Sequence, residues 1–214
     1  MEKIKIEKRE KLDQRSYEAY AGLQRNIQFC GDDVKVIAVT SCMAKEGKTS
    51  VCMHLCEALA SDGKNVLFVD ADLRASAVRG RYGIGKVKAG LTEYLIGRVA
   101  AEQIIYDTDI DGLHMTFAGE FPPNPNELLG QERFRNWIAN VREQYDYVIV
   151  DTPAADMVED AVVASKAVDG VMLVITDSKV STKVAQSLKK KLEEEKVRIL
   201  GAVLNKVPVK KKRK

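Results

Sequence analysis

The sequence predicts an α/β domain with a mostly parallel central sheet that is flanked by helices on both faces. Segments with strand character alternate with segments of helical character along most of the 214 residues. The predicted strands are continuous apolar runs, such as VKVIAVT at 34–40, which is typical of strands that are buried on both faces. No repeat, linker or change of composition divides the chain, so a single domain is the simplest interpretation.

The composition excludes several other classes of protein. Hydrophobic residues make up 45% and charged residues 30%, and no apolar stretch approaches the roughly 20 residues that cross a bilayer. The charged N-terminus MEKIKIEKREK lacks the apolar core of a secretion signal. The cysteines show no disulfide spacing and suit a reducing cytosol. Cys52, His54 and Cys56 fall in a predicted helix, where we expect buried packing and not a metal site.

The predicted elements follow one another in a regular order. The first dozen residues are of mixed charge and are expected to be frayed or helical. Ser16 and Asn126 are expected to cap helices, and Gly63 to end one. The six predicted strands are 34–40, 65–74, 113–119, 145–153, 170–177 and 198–207. The predicted helices are 17–29, 48–63, 91–98, 127–145, 159–168 and 183–195.

The stretch TSCMAKEGKTSV at 40–51 ends in a pattern typical of phosphate-binding loops. The usual pattern, G-x-x-x-x-G-K-[ST], has a glycine where this chain has Cys42, and a G-K-[ST] triplet occurs by chance in roughly one in ten chains of this length. The context favours a nucleotide site, because the triplet joins a buried strand to a helix whose free N–H groups and dipole attract phosphate. Gly47 permits close approach, Lys48 supplies a charge for the phosphates, and Thr49 supplies a hydroxyl for Mg²⁺.

Polar side chains follow three other predicted strands. Asp70 and Asp72 lie in VLFVDADLR, just past the carboxyl edge of the second strand, and Asp151 ends YVIVD. Because ligands of open parallel sheets bind beyond the carboxyl ends of the strands, we expect these carboxylates to converge on Lys48. For each carboxylate alone, a cap or turn residue is the alternative. Asn205, at the end of the last predicted strand, is either a residue that recognises the adenine edge or a turn residue.

These motifs resemble those of the bacterial protein-tyrosine kinases (BY-kinases), cytoplasmic kinases of capsule and exopolysaccharide synthesis. The resemblance extends from about residue 16 to residue 207. It rests on SYEAYAGLQRNIQF, SCMAKEGKTS as Walker A, VLFVDADLR as Walker A′, PPNPNELL, VIVDTP as Walker B, and GAVLN. The runs DADLR and PPNPNELL are the most specific of these. The resemblance implies a P-loop NTPase fold of the deviant Walker type.

The resemblance also implies an ATP-dependent protein-tyrosine kinase that binds ATP or ADP with Mg²⁺. In such an enzyme Lys48 would hold phosphates, and Thr49 and Asp151 would order the metal. Of Asp70 and Asp72, one would accept the tyrosine proton and the other would help to place the metal. The catalytic candidates are therefore Lys48, Asp70, Asp72 and Asp151, and the metal candidates are Thr49, Asp70 and Asp151. The expected nucleotide contacts are Ala44, Lys45, Glu46, Gly47, Lys48, Thr49, Ser50 and Asn205.

The same resemblance implies a cytoplasmic location, peripheral at the inner face of the plasma membrane. A transmembrane modulator of polysaccharide chain length would be the activator, and protein tyrosines the substrates; no specific nucleic acid is expected.

Three departures from the family pattern predict weak self-association and reduced self-phosphorylation. Lys45 stands where the family usually has a small residue. The first helix keeps Glu18 but has Ala21 and Gln24 where E-x-x-R-x-x-R has arginines, and Tyr147 is the last tyrosine.

Three functions remain open on the sequence. An active tyrosine kinase is favoured, because every position of the phosphoryl-transfer scheme is filled. A partitioning-type P-loop ATPase that acts as a nucleotide-dependent switch is the second, but such ATPases typically have a second lysine where this chain has Met43. A catalytically weak or inactive kinase relative is the third.

The chain divides into a charged N-terminal segment at 1–15, the kinase-like domain at 16–207 and a basic tail at 208–214. The tail is either a solvated segment or a weak contact for an anionic membrane. The side chains concerned are Lys210, Lys211, Lys212, Arg213 and Lys214.

Overall fold

The computed structural model describes residues 1–154, 159–176 and 180–208. The strands are β1 (Glu2–Lys3), β2 (Val36–Ser41), β3 (Val66–Asp70), β4 (Tyr106–Asp107), β5 (Leu113–Thr116), β6 (Tyr147–Asp151), β7 (Gly170–Thr176) and β8 (Ile199–Asn205). The helices are α1 (Gln14–Gln28), α2 (Lys48–Ser61), α3 (Val78–Tyr82), α4 (Leu91–Leu95), α5 (Pro125–Gly130), α6 (Glu132–Gln144), α7 (Glu159–Ser165) and α8 (Thr182–Glu194), with a short 3-10 helix at Ala101–Gln103. The predicted α/β class is confirmed, because the described strands form one sheet in the order β1-β4-β5-β3-β6-β2-β7-β8. Adjacent strands run parallel except for the antiparallel pair of β4 and β5.

The sheet carries an apolar core on each face. Along β2, Ile37 and Val39 pack on the face that is covered by α1, α2 and α3, whereas Val36 and Ala38 pack on the face covered by α4 to α8. All four side chains are at most 1% exposed. This double burial explains the continuous apolar runs of the sequence. Because β2, β3 and β6 are parallel neighbours, their carboxyl ends lie at one edge of the sheet.

Two predicted helix starts are wrong. Asp13 caps α1, since its Oδ1 accepts the backbone N–H of Ser16 at 2.8 Å, and Ser16 therefore lies inside the first turn. The single long helix predicted after Asn126 is two helices, which are separated at Gln131 with a ψ of 151°. Pro125 is the first residue of α5, a position where proline loses no hydrogen bond, so Asn126 lies inside that helix and does not cap it.

The N-terminus is ordered in the structure, contrary to the expectation of a frayed or helical start. β1 pairs in parallel with β4, and the N–H of Ile4 donates to the carbonyl of Asp107 at 2.9 Å. The N–H of Ile6 donates to Oδ1 of Asp109 at 3.0 Å, and the Ile6 side chain is buried. The alternation KIKI is the period-two pattern of a strand with one buried face, and the many charges around it hid that signal.

Other expectations concern packing and the membrane. Cys52 and Cys56 are fully buried in α2, and His54 is nearly so, as the sequence predicted. Among the described helices, none is long and apolar enough to span a bilayer. The basic side chains of residues 210–214 lie outside the described part of the chain.

Candidate active site

The loop between β2 and α2 has the geometry of a phosphate-binding loop. Lys48 is the first residue of α2, and Gly47 precedes it in the left-handed conformation with a φ of 94°. A Cβ at Gly47 would collide with Nδ2 of Asn205, so this position requires glycine. The backbone N–H groups of the first helical turn lack intrahelical acceptors and are available to an anion. Cys42 is not in the left-handed region, which explains why a side chain is tolerated where the usual pattern has glycine.

A buried carboxylate holds the loop in shape. Glu46 is 3% exposed. Its Oε2 accepts the N–H of Met43 at 2.7 Å, and its Oε1 accepts the N–H of Thr176, the last residue of β7, at 2.8 Å. Two backbone donors thus satisfy a charge that would be costly to bury alone. The carboxylate ties the loop to β7, while the backbone N–H of Glu46 stays available for contact with a nucleotide.

The end of β8 holds the loop from a second side. Nδ2 of Asn205 donates to the carbonyl of Glu46 at 2.9 Å, and Nζ of Lys206 donates to the carbonyl of Lys45 at 2.7 Å. Oδ1 of Asn205 accepts the N–H of Lys206 at 2.9 Å, so the nitrogen and the oxygen of this amide each make a hydrogen bond within the protein. Lys45 itself is left-handed, with a φ of 64°, which costs a non-glycine residue about 1 kcal/mol and accounts for the small residue expected there. Its side chain is exposed.

Two buried carboxylates face each other beside the loop. Asp70 at the end of β3 is the register partner of Asp151 at the end of β6, and the two side chains are 1% and 2% exposed. Burial, and after it the charge of Asp151, together raise the pKa of Asp70 to about 8. Burial also raises the pKa of Asp151, to about 6, although the Thr49 hydroxyl and the Lys48 ammonium lower it. Oδ1 of Asp151 has no hydrogen-bond partner among the described residues. The pair therefore concentrates acceptor oxygens and negative charge at one point.

The turn after β3 arranges the third carboxylate. The hydroxyl of Ser76 and the N–H of Asp72 both donate to Asp70, the latter at 3.3 Å. Oδ1 of Asp72 accepts the N–H groups of Arg74 and Ala75 at 3.3 and 3.0 Å, so Asp72 is also a turn residue. Asp72 is half-buried and Asp70 is buried, so the Asp72 carboxylate is the more accessible of the two.

The structure brings most of the predicted residues together and adds several that the sequence did not indicate. Lys48, Thr49 and the three aspartates share one edge of the sheet, and the exposed Ala44 and Lys45 lie on the loop above it. Ser50 accepts a hydrogen bond from Nη1 of Arg81. The unpredicted members are Ser76, Arg81, Thr176 and Lys206. Thr176 acts through its backbone N–H and the other three through their side chains, and no spacing in the sequence marks them.

Comparison with known proteins agrees with this geometry. A family profile described as an AAA domain matches residues 34–203, which implies nucleotide binding. The chain is 34% identical over 190 residues to the tyrosine-protein kinase CpsD of Streptococcus agalactiae, covering 89% of this chain and 83% of that one. It is 35% identical over 192 residues to CpsD of Streptococcus pneumoniae, with 90% and 85% covered.

Solved structures give the same result. The chimerical protein CapA2B2 superimposes with a TM-score of 0.84 at 30% identity, covering 90% of this chain and 85% of that one. The septum site-determining protein MinD of Pyrococcus horikoshii, complexed with Mg-ADP, has a TM-score of 0.69 at 24% identity, covering 80% and 70%, and shows the fold alone. Fold, phosphate loop and paired strand-end carboxylates agree with the sequence matches: the chain belongs to the capsule-associated bacterial tyrosine-protein kinases, P-loop relatives of the AAA domain.

Proposed function

We propose that this chain transfers the γ-phosphate of ATP to tyrosine side chains of proteins in capsule or exopolysaccharide synthesis. One observation carries the proposal. The phosphate loop with Lys48 lies at the same sheet edge as Asp70 and Asp151, which are direct register partners. Phosphoryl transfer needs a held phosphate, neutralised charge and a base, and this edge provides a group for each.

The residues present fit Mg²⁺. Asp151 is buried with an unpartnered oxygen, and the Thr49 hydroxyl lies beside it. Asp70 adds a second carboxylate opposite Asp151. Hard oxygen donors of this kind suit Mg²⁺, which when bound would neutralise charge on the phosphates. Lys48 would add its own charge at the phosphates, and the N–H groups of the loop would orient them.

The accessibility of the aspartates supports a division of roles between them. Asp70 is 1% exposed, and the Ser76 hydroxyl donates to one of its oxygens, so a tyrosine from solvent cannot approach it freely. Asp72 is half-buried and uses only one oxygen in the turn. Asp72 is therefore the better candidate to accept the tyrosine proton, and Asp70 the better candidate to help place the metal.

We also infer a partner and a location. The similarity to CapA2B2 supports association with a CapA-type modulator, which would be a transmembrane protein that activates the kinase. The chain would then act at the inner face of the plasma membrane. The basic tail would add a weak attraction to anionic lipid there.

The test is incubation with Mg²⁺ and radiolabelled ATP, with and without a modulator fragment and a tyrosine peptide, followed by phosphotyrosine analysis. Lys48→Met is the matched negative control. Phosphotyrosine that depends on Lys48 supports the proposal. ATP hydrolysis without phosphotyrosine would favour the nucleotide-dependent switch, and nucleotide binding without turnover would favour the inactive relative.

A further inference from the structure

An open cleft of about 970 Å³ lies beside the phosphate loop. One wall is the N-terminal segment at 8–10, and the other walls are the starts of α1 and α2, the end of α3 and the residues that follow β8. Contacts run around its rim: the N–H of Lys8 donates to the carbonyl of Tyr82 at 3.0 Å, and Arg81 reaches Ser50 at the start of α2. The cleft therefore continues directly from the loop that would hold the phosphates.

The described walls of this cleft are strongly cationic. Five basic side chains line it, whereas a single carboxylate, that of Glu10, does so. The basic side chains are those of Lys8, Arg9, Lys45, Arg81 and Lys206. Glu10 is directed toward His54, with 3.7 Å between its Oε2 and Nε2 of the imidazole. The net charge of the walls is thus positive, and a concave surface of one sign focuses the electrostatic field.

Most of these cations keep their charge uncompensated. Arg9 pairs with Asp109 at 2.8 Å, but the other four have no carboxylate within 4.0 Å among the described residues. Lys206 and Arg81 are instead bonded to neutral acceptors, the carbonyl of Lys45 and the hydroxyl of Ser50. Such bonds fix the position of a cation without neutralising it, and a fixed cation loses little entropy when an anion binds.

We propose that this cleft binds the acceptor segment of the protein substrate and selects segments in which acidic residues flank the tyrosine. The inference rests on the proposed kinase activity and adds the class of substrate. The nucleotide would occupy the wall formed by the phosphate loop, whereas Lys8 stands on the wall formed by the N-terminal segment, beside Tyr82. The expected nucleotide contacts on the first wall are Lys45, Gly47, Ser50 and Asn205.

Ala77 lines the cleft and follows Ser76, whose hydroxyl donates to Asp70. The cleft therefore adjoins the turn that carries Asp72. We expect an extended anionic peptide with its tyrosine near Asp72 to contact both walls. A cleft whose cations lie on separate elements suits such a ligand.

Two labelled peptides of equal length measure the selectivity, one with glutamates and one with glutamines around a central tyrosine. Versions with phenylalanine in place of the tyrosine allow fluorescence anisotropy without turnover. We expect the glutamate peptide to bind the Mg-ADP complex of the full chain about tenfold more tightly at low salt, and the preference to shrink as salt rises. Lys8→Gln should reduce the preference about two- to fivefold and leave ADP affinity unchanged. Lys5→Gln is the matched control, because Lys5 is exposed on the same segment and does not line the cleft.

The outcomes separate this inference from the proposed activity. Equal binding of the two peptides, or a preference that Lys8→Gln and Lys5→Gln change alike, would overturn the inference. Loss of ADP affinity in Lys8→Gln would also overturn it and would assign the cations to the nucleotide. A charge preference in anisotropy without phosphotyrosine formation would keep the cleft and refute the kinase. Phosphotyrosine on both peptides at the same kcat/KM, without a binding preference, would support the kinase activity and refute the selective cleft.

Discussion

Replacing Asp70 by asparagine is expected to stabilise the nucleotide-free fold while lowering phosphate transfer. Burial beside Asp151 raises the pKa of Asp70 from 3.8 to about 8. A carboxyl with a raised pKa in the folded state contributes its full stability below its unfolded pKa and loses it as pH rises through the folded pKa. The native protein should therefore lose stability between about pH 4 and pH 8. Asparagine fills the same space, accepts the N–H of Asp72 and donates to the Ser76 hydroxyl, but carries no charge.

The magnitude follows from the same pKa. One pKa unit is about 1.4 kcal/mol, so the difference between 3.8 and about 8 sets an upper limit of roughly 6 kcal/mol. Because water and relaxation reduce such penalties, we expect Asp70→Asn to gain about 2–3 kcal/mol near pH 8 and about 1 kcal/mol near pH 5. In a chain of this size the larger gain should raise Tm by roughly 5–10 °C. Turnover should also fall, because asparagine brings one oxygen and no charge to the position where Asp70 would help to hold Mg²⁺.

Thermal and urea unfolding near pH 5, 6.5 and 8, with EDTA and without nucleotide, measure the effect. Asp72→Asn is the matched control, because its side chain is half-buried and asparagine preserves its turn; we expect a change below about 0.5 kcal/mol at every pH. If Asp70→Asn gains equally at pH 5 and pH 8, or loses stability at pH 8, the electrostatic account of the pair is wrong.

Four further predictions test other parts of the molecule. Lys48→Met should abolish ADP binding in calorimetry and leave the circular dichroism spectrum intact; unchanged affinity would mean that the site is misplaced. Glu46→Gln replaces one acceptor by a donor that faces an N–H, so it should cost about 1–3 kcal/mol in urea unfolding, and a cost below about 0.5 kcal/mol would refute its role in holding the loop. Gln24 donates to Oδ2 of Asp62 at 2.7 Å within the chain and cannot supply an arginine to a neighbour, so light scattering at micromolar protein should show no large ring; a stable octamer would contradict this. Removal of residues 208–214 should weaken co-sedimentation with anionic vesicles at low salt, and equal binding by both forms would leave the tail as a solvated segment.

The site could be predicted from the sequence because the local motifs and the parallel order of the strands indicate the same edge of the sheet. The triplet at Gly47 lies between a strand and a helix, and Asp70 and Asp151 end strands whose apolar runs show burial on both faces. Parallel topology alone then brings the strand ends together. The short edge strand β1 was missed, because two paired residues give little periodicity among many charges.

The contacts that hold the site in place could not be predicted in this way. Thr176 is 130 residues from Glu46 in sequence, and the N–H that it donates belongs to the backbone, which carries no sequence signature. The helix break at Gln131 follows Gly130, which disfavours a helix interior, but a single glycine does not by itself predict where a helix ends. Lys45 holds the left-handed conformation while its carbonyl is bonded by Lys206, a contact that no local rule indicates.

The bonds from the end of β8 to the phosphate loop have a consequence for biosynthesis. Asn205 and Lys206 bind carbonyls about 160 positions earlier in the chain, at Glu46 and Lys45. A ribosome releases the loop long before it releases the strand that holds it. During that interval the nascent chain has Gly47 and Lys48 but only part of their support, because long-range contacts must wait for the last segment. We therefore expect nucleotide binding to need Asn205 and Lys206, and a chain that stops before residue 205 to keep most of its core but to lack this support of the phosphate loop.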